Sequence, residues 1–401
     1  MDLLHPGSHR AAGLVDDHAL VAAMLDVEVA WFDALAKVGV ASRQQAELVA
    51  VTAEQWRPAI DQLVVDAEAA GNPVVALVAG LRAAVPDPAA AALVHRGLTS
   101  QDVLDTALML LARAALARIR DNLCTLARDL ASLVRAHSNT IMAGRTLTQY
   151  AVPITFGLKA AHWLAGVLGA LELVRNSADR LPAQCGGAAG TLSLAGELTE
   201  SPLILARAFA DALELRDPGA PWHTTRTPIT DIGHCLVTTC DALGVIASDT
   251  VQLGRPEIGE LSEGVVVGRG GSSTMPHKRN PVLGVLVRNA ALQAPLLGAQ
   301  LHLAAAQAVD ERPDGAWHSE WNALRTLLEL TVTASSQARE LIAGLEVHLD
   351  VMAQRATAAA EALLAERGSE DRDPATYLGS SVEFADRILD RFDRIPGEGR
   401  K

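Results

Sequence analysis

A chain of 401 residues is too long for one ordinary compact core, so we expect two or three folding units, or one long bundle with smaller ends. Its 34 basic and 47 acidic residues give a net charge of -13, which disfavours nucleic acid as a partner because a polyanion needs a basic face. Hydrophobic residues make up 49% of the chain and aromatic residues only 3%, and this Ala- and Leu-rich composition predicts an all-α fold.

The N-terminal part of the chain is predicted to be helical. Between residues 16 and 38, apolar side chains recur at spacings of three and four, which indicates an amphipathic helix. Turn-forming residues at 71–73 and 86–88 then separate shorter helices. We interpret residues 1–104 as an N-terminal helical domain. Residues 1–10 contain no apolar run typical of a secretory signal, so we expect a cytoplasmic protein.

A long helical bundle is predicted next. Between Asp105 and His137 an apolar stripe runs without Gly or Pro, which predicts a helix of roughly 45 Å at about 1.5 Å per residue. We interpret residues 105–345 as a central bundle and residues 346–401 as a shortened C-terminal helical domain. The further helices of the bundle are expected at about residues 153–178, 229–252, 281–309 and 318–345.

Residues 290–309 carry no Asp, Glu, Lys or Arg. They include Gln293, Pro295 and His302, so a helix surrounded by other helices is favoured over a membrane span. Burial of this kind is typical of subunits that share a bundle. We therefore predict a homo-oligomer and no membrane partner.

The cysteines give no sign of a metal site. Cys124, Cys185, Cys235 and Cys240 form no C-x-x-C pair and have no matching histidine spacing, so neither zinc nor a disulfide framework is indicated. We interpret them as core thiols in a reducing compartment. No metal and no cofactor is predicted.

Residues 268–281 combine glycine, serine, proline and basic side chains, a composition that cannot continue either flanking helix and predicts a loop. Glycines let backbone N–H groups approach an anion, and a serine such as Ser272 can carry a proton. Lys278 and Asn280 can hold carboxylate or developing enolate oxygens. On composition alone, a plain turn between helices is the alternative.

The stretch Gly-Ser-Ser-Thr-Met-Pro-His-Lys-Arg-Asn-Pro at residues 271–281 resembles the signature loop of the fumarase/aspartase superfamily. Residues 94–106 and 144–157 resemble the first and second active-site segments of that superfamily. Three further stretches are similar to its 3-carboxy-cis,cis-muconate cycloisomerase branch: residues 184–191, 221–226 and 311–321.

This resemblance implies a three-domain all-α homotetramer with a long central helical bundle, in which each active site collects segments from three subunits. It implies a small polycarboxylate substrate, with Ser272 as the catalytic base of the elimination direction. Lys278 and Asn280 would bind a carboxylate and steady the enediolate-like intermediate. The implied substrate-binding residues are His95, Thr99, Ser100, Thr146, Gln149, Arg226, Ser273 and Met275, with Arg226 pairing with a carboxylate.

Some of these residues have structural alternatives. Thr99 and Ser100 precede a long predicted helix and are also suitable N-cap residues. His95 aligns with an active-site histidine of the adenylosuccinate lyase relatives. His223 and His318 are further candidates, and packing beside the neighbouring tryptophans is the alternative for both.

Leu147 is an informative departure from the family pattern. Adenylosuccinate lyases have Gly-Arg-Thr-His there, with the histidine as general acid for the departing amine, and its glutamate partner would fall at Val285. An amine is too basic to leave unprotonated, and loss of a general acid typically costs roughly 10²- to 10⁴-fold in rate. A carboxylate leaves readily as an anion, because the pKa of its conjugate acid is about 4. Leu147 therefore favours a reaction in which a carboxylate adds or leaves.

The leading hypothesis is a cofactor-independent cycloisomerase that closes 3-carboxy-cis,cis-muconate to 4-carboxymuconolactone in the β-ketoadipate pathway. A second is a lyase that expels another weakly basic anion, such as nitrite from nitrosuccinate, and a third is adenylosuccinate lyase. A catalytically inactive structural tetramer is the non-enzyme alternative. It rests on the short passage from Gly368 to Pro374, where several helices of the family's third domain are missing.

Overall fold

The computed structural model describes residues 3–272, 274–275, 277–368 and 370–395. Helices dominate it, as predicted. The helices are α1 (Asp17–Lys37), α2 (Arg43–Gln55), α3 (Ile60–Ala70), α4 (Val74–Ala84), α5 (Pro88–Leu93), α6 (Ser100–Ala136), α7 (Phe156–Ala178), α8 (Ser193–Leu198), α9 (Pro202–Ala212), α10 (Thr227–Leu253), α11 (Val282–Ala305), α12 (Gly315–Ala343), α13 (Leu349–Ala358), α14 (Ala360–Leu363) and α15 (Ser381–Asp393).

Five of these helices, α6, α7, α10, α11 and α12, pack on one another as the central bundle. The longest is α6, whose 37 residues span roughly 55 Å. The four predicted bundle helices correspond to α7, α10, α11 and α12, with ends that differ from the predicted ones by a few residues. The all-α prediction is confirmed, because the apolar periodicity that defines these helices is a local property of the sequence.

Four short strands were not predicted. Strands β1 (Ile141–Thr146) and β2 (Gln149–Thr155) form an antiparallel hairpin directly before α7. Strands β3 (Leu261–Glu263) and β4 (Leu345–Val347) form a second antiparallel pair. The helix expected from residue 153 therefore begins only at Phe156, after the hairpin has ended.

The N-terminal helices and the bundle share one hydrophobic core. Trp31 and Leu35 of α1 and Leu104 and Leu108 of α6 belong to the same buried cluster. The predicted domain boundary at residues 104/105 falls inside α6, which begins at Ser100. The division into three domains stays a prediction.

The C-terminal segment packs back on the bundle. Helix α15 lies against α7 and α6, and its buried Ala385 and Phe392 join the main core. Helices α13 and α14 instead contribute Ala356 and Leu363 to a small cluster with Ala143 of β1. The residues after Gly344 therefore support both the bundle and the hairpin.

Helix α11 is less buried in the single chain than the sequence predicts. By length and composition α7, α10 and α11 could each cross a membrane, and only 33% of the apolar window of α11 is buried. Leu292, Leu296 and Leu303 are each at least 70% exposed. The prediction that this helix is surrounded on all sides is not met by the single chain, because α10 and α12 cover only one side of it.

Candidate active site

The turn before α6 is held firmly from both sides. His95 has a left-handed backbone with φ of 60°, and Gly97 follows with φ of 103°. Arg82 donates from Nε and Nη2 to the Val94 carbonyl at 3.2 and 2.7 Å, and Trp31 donates from Nε1 to the Arg96 carbonyl at 3.0 Å. The peptide carbonyls on both sides of His95 are therefore fixed.

Thr99 is the N-cap of α6, as the structural alternative predicted. Its backbone N–H donates to Asp102 Oδ2 at 3.0 Å, and Ser100 begins the helix. Arg312 Nη2 donates to Thr99 Oγ1 and also to the Ala188 carbonyl at 3.2 Å. Arg312 Nε is buried without a hydrogen-bond partner. A guanidinium that was not among the predicted site residues thus lies against Thr99.

A buried carboxylate anchors the glycine-rich stretch beside Thr99. Asp102 accepts hydrogen bonds from the backbone N–H groups of Gly186 and Gly187 at 2.9 and 2.8 Å. His223 Nε2 lies 2.8 Å from Asp102 Oδ1, and a Cβ on Gly186 would come within 2.8 Å of the His223 ring. Both side chains are buried, so the pair fixes the loop from inside the protein.

The prediction that Arg226 pairs with a substrate carboxylate is wrong. Its side chain is 0% exposed and lies 2.7 Å from both Asp105 Oδ2 and Glu320 Oε2. Burial alone would lower the pKa of Arg226, but the two carboxylates raise it. Its Nε, Nη1 and Nη2 all donate to these carboxylates, so none is free for a ligand.

His318 packs against neighbouring residues and makes no hydrogen bond to Thr99 among the described residues. Its Nδ1 lies 3.0 Å from the Asp314 carbonyl and its Nε2 lies 2.8 Å from the Gly71 carbonyl. The ring packs against Trp317 and Trp321. The packing alternative therefore describes this histidine.

Thr146 and Gln149 flank the turn of the β1–β2 hairpin. The two turn residues, Leu147 and Thr148, have φ of 49° and 71°, and Leu147 is 95% exposed. Gln149 Nε2 donates to Thr148 Oγ1 at 3.2 Å. The predicted second segment therefore presents its polar side chains at an exposed tip.

A cavity of about 560 Å³ lies beside this hairpin. Arg145 lies in its wall and donates to Glu260 through two nitrogens at 2.8 and 3.0 Å. Lys159, Arg255 and Arg355 also line the cavity. The cavity wall thus combines basic side chains with the carboxylates of Asp249 and Glu257, and Lys159 pairs with Asp249 at 3.2 Å.

The signature segment is a loop, as predicted. Gly271 and Arg279 form an antiparallel bridge, and the Asn280 N–H donates to the Gly270 carbonyl at 2.8 Å. Ser272 Oγ accepts hydrogen bonds from the backbone N–H groups of Met275 and Thr274 at 3.1 and 3.3 Å. Two amide donors directed at one hydroxyl oxygen favour its deprotonated form.

The other described residues of this loop that were predicted to belong to the site differ in exposure. Lys278 and Met275 are exposed, whereas Asn280 is half-buried. Ser273 lies outside the described residues. Arg269, at the start of the loop, forms an ion pair with Glu340 of α12.

The three predicted segments stay separate within one chain. Among the residues that the structure describes, no hydrogen bond or ion pair links the turn at His95, the hairpin at Thr146 or the loop at Ser272 to one another. Each segment instead bonds to its own surroundings. The described contacts of one chain therefore do not join the three segments into one hydrogen-bonded site.

Burial disfavours the thiolate form of three of the four cysteines. Burial raises the pKa of Cys235 to about 11 and that of Cys240 to about 12. Burial also raises the pKa of Cys185 well above its usual value, with a further contribution from Asp102. Thiols with raised pKa values are poor nucleophiles near neutral pH, so these three cysteines are unsuited to nucleophilic chemistry.

This chain is similar to known proteins in both sequence and structure. A family model described as lyase matches residues 12–296. A nitrosuccinate lyase from Streptomyces davaonensis is 46% identical over 345 residues, which cover 84% of this chain and 73% of that protein. A 3-carboxy-cis,cis-muconate cycloisomerase from Bradyrhizobium diazoefficiens is 39% identical over 349 residues, covering 86% and 76% of the two chains.

Solved structures agree with the sequence matches. The 3-carboxy-cis,cis-muconate lactonizing enzyme from Pseudomonas putida superposes with a TM-score of 0.84 at 30% identity, covering 96% of each chain. A fumarate lyase from Mesorhizobium sp. BNC1 superposes with a TM-score of 0.82 at 26% identity, covering 95% of this chain and 97% of that one. These superpositions cover nearly the whole of each chain.

Proposed function

This chain belongs to the lyase family of the fumarase/aspartase superfamily, in its muconate cycloisomerase branch, and we propose that it is a lyase whose departing or adding group is a weakly basic anion. The observation that carries this proposal is Leu147. The hairpin turn places a hydrocarbon side chain where adenylosuccinate lyases have a proton donor, and Val285 stands where the donor's partner would be. A basic amine could not leave unassisted, whereas a weakly basic anion can.

The first candidate reaction is elimination of nitrite from nitrosuccinate. It is favoured because the nitrosuccinate lyase is 46% identical to this chain, whereas the 3-carboxy-cis,cis-muconate cycloisomerase from Pseudomonas aeruginosa is 40% identical. The comparison thus reverses the order of the two leading sequence-based hypotheses. Ring closure of 3-carboxy-cis,cis-muconate is the second candidate, since its attacking carboxylate also needs no proton donor.

In the elimination, Ser272 Oγ would remove a proton from the methylene carbon beside a carboxylate. The electron pair moves into that carboxylate as an enediolate, which Lys278 and Asn280 stabilise by charge and hydrogen bonding. The C–N bond then breaks, its electrons leave with nitrite, and fumarate remains. The backbone N–H groups of Thr274 and Met275 stabilise the Ser272 oxygen while it is deprotonated.

We propose that the working enzyme is a cytoplasmic homotetramer, in which different subunits supply the turn at His95, the hairpin at Thr146 and the loop at Ser272. The support is the separation of these segments within one chain and the exposed apolar face of α11 at Leu292 and Leu296. A second subunit would cover that face and remove apolar area from water.

Two substrates test the proposal. Purified protein is incubated with nitrosuccinate and assayed for nitrite, and separately with 3-carboxy-cis,cis-muconate and assayed for loss of diene absorbance. We expect turnover of at least one of them, with nitrite release the stronger activity. Background rates with both substrates from a correctly assembled tetramer would refute the enzymatic proposal and favour the inactive structural tetramer.

A further inference from the structure

Glu28 of α1 is a buried carboxylate that has no role in the chemistry proposed above. Its side chain is 0% exposed, and its Oε1 lies 2.7 Å from His95 Nδ1. Its other oxygen, Oε2, is buried without a hydrogen-bond partner. The His95 ring is therefore the one side-chain partner of this carboxylate among the described residues.

Both members of this pair are held in unfavourable states. A buried carboxylate oxygen without a partner costs stability, and so does a left-handed backbone at a residue with a bulky side chain, such as His95 with its φ of 60°. Such strain persists only where the surroundings enforce it. Here the bonds from Arg82 and Trp31 to the carbonyls on either side of His95 enforce it.

The geometry of the pair directs one ring nitrogen away from the core. Nδ1 is occupied by Glu28, and the His95 side chain is 17% exposed, which leaves Nε2 as the nitrogen available to a ligand. When the ring is protonated, Nε2–H is a hydrogen-bond donor for an anionic oxygen.

The second imidazole–carboxylate pair in this region provides a contrast. His223 and Asp102 lie 2.8 Å apart, but the His223 side chain is only 3% exposed. Asp102 also accepts two backbone N–H groups, so that pair has a structural task. Within the described part of the chain, Glu28 bonds to no backbone group, and its hydrogen-bond partner is the imidazole in the turn before Thr99.

We propose that Glu28 is a positioning residue that orients His95 so that its Nε2 binds one carboxylate of the substrate. The proposal builds on the proposed function, because it takes a small polycarboxylate as the ligand. It adds an oriented imidazole nitrogen to Thr99 and Arg312 at the N-terminus of α6. Since this contact would be present in the ground state and in the transition state alike, losing it should affect KM more than kcat.

The test measures succinate binding by calorimetry in the full-length protein. Glu28→Gln, His95→Gln and the double variant are compared with wild type, and Asp33→Asn serves as a carboxylate-to-amide control on the exposed side of the same helix. We expect the succinate Kd to rise roughly 10- to 100-fold in either single variant, the range of a charge-assisted hydrogen bond. The double variant should bind no more weakly than His95→Gln.

Two results would show that Glu28 only supports the fold. One is a wild-type succinate Kd in Glu28→Gln, and the other is a Kd increase in the double variant that equals the product of the increases in the two single variants. If Glu28→Gln does not fold, His95→Gln alone decides, since the amide of the new side chain can donate to Glu28 and keep that buried carboxylate partnered. Unchanged affinity in His95→Gln overturns the proposal. Succinate binding needs no turnover, so inactivity towards nitrosuccinate and carboxymuconate would refute the proposed reaction without affecting this result.

Discussion

The turn at Thr99 and the loop at Ser272 represent two ways of building a site. Around Thr99, the buried Asp102 fixes the backbone by accepting the Thr99 N–H, and the buried Arg226 pairs with Asp105 of α6. The Ser272 loop bonds mainly to itself and places Lys278 in solvent. The comparison shows that this chain fixes the proposed binding residue Thr99 within a buried network, while Ser272, the proposed proton carrier, lies on an exposed segment.

The largest effect on activity is expected in the exposed Ser272 loop. Replacing Ser272 by Ala removes the proposed proton carrier, so kcat should fall by roughly 10²- to 10⁴-fold. The melting temperature and the oligomeric state should stay unchanged, since the side chain is only half-buried and its hydroxyl bonds only to its own loop. Steady-state kinetics and thermal melts check this, and retained turnover would exclude Ser272 as the base.

The next largest effect is expected at the buried Arg226, and it concerns the stability of the fold. Arg226→Met leaves Asp105 and Glu320 as uncompensated buried carboxylates, and breaking such a network typically costs about 3–5 kcal/mol. Chemical denaturation measures the loss. Lys278→Met is the matched control, because it removes an exposed cation from the other region. If the two variants have the same free energy of unfolding, the buried network around Arg226 stabilises the fold no more than the exposed Lys278 does.

The smallest effect concerns the anchor of the Ser272 loop. Hydrogen bonding from Arg10 lowers the pKa of Glu340, against a smaller opposing effect of burial, and Arg269 of the loop lowers it further. A lowered folded-state pKa means that the stability contributed by Glu340 is present above the ordinary carboxyl pKa and is lost as pH falls through the folded value.

Glu340→Gln should therefore remove part of the stability difference between neutral and acidic pH. Because the pair is partly exposed, the cost at neutral pH should be no more than about 1 kcal/mol. Denaturation curves at several pH values check this, with Glu346→Gln on β4 as a control carboxylate. An unchanged acid-side slope would mean that Glu340 does not anchor the loop through its charge.

Local features of the sequence predicted the bundle helices and the signature loop, because periodicity and composition act over a few residues. The β1–β2 hairpin was missed because its second strand runs directly into α7 and was read as the start of that helix. The N-cap role of Thr99 was foreseen from its place before an apolar stripe.

Local sequence features do not predict contacts between residues that are far apart in the chain. Arg226 was assigned to the substrate because nothing local shows that Asp105, 121 residues away, neutralises it. Arg312 and Thr99 are separated by 213 residues, and Glu28 and His95 by 67. Only the folded bundle brings such pairs together, although the similarity of residues 311–321 to the cycloisomerase branch was a signal for Arg312.

The central claim is that the departing group must be a weakly basic anion, and it is tested most directly by comparing two substituted succinates. Nitrosuccinate and aspartate differ in their nitro and amino leaving groups and would give the same fumarate product. We predict that the protein releases nitrite from nitrosuccinate, releases no ammonia from aspartate above background, and loses its activity in Ser272→Ala. Ammonia release at a rate equal to or above that of nitrite would contradict this claim.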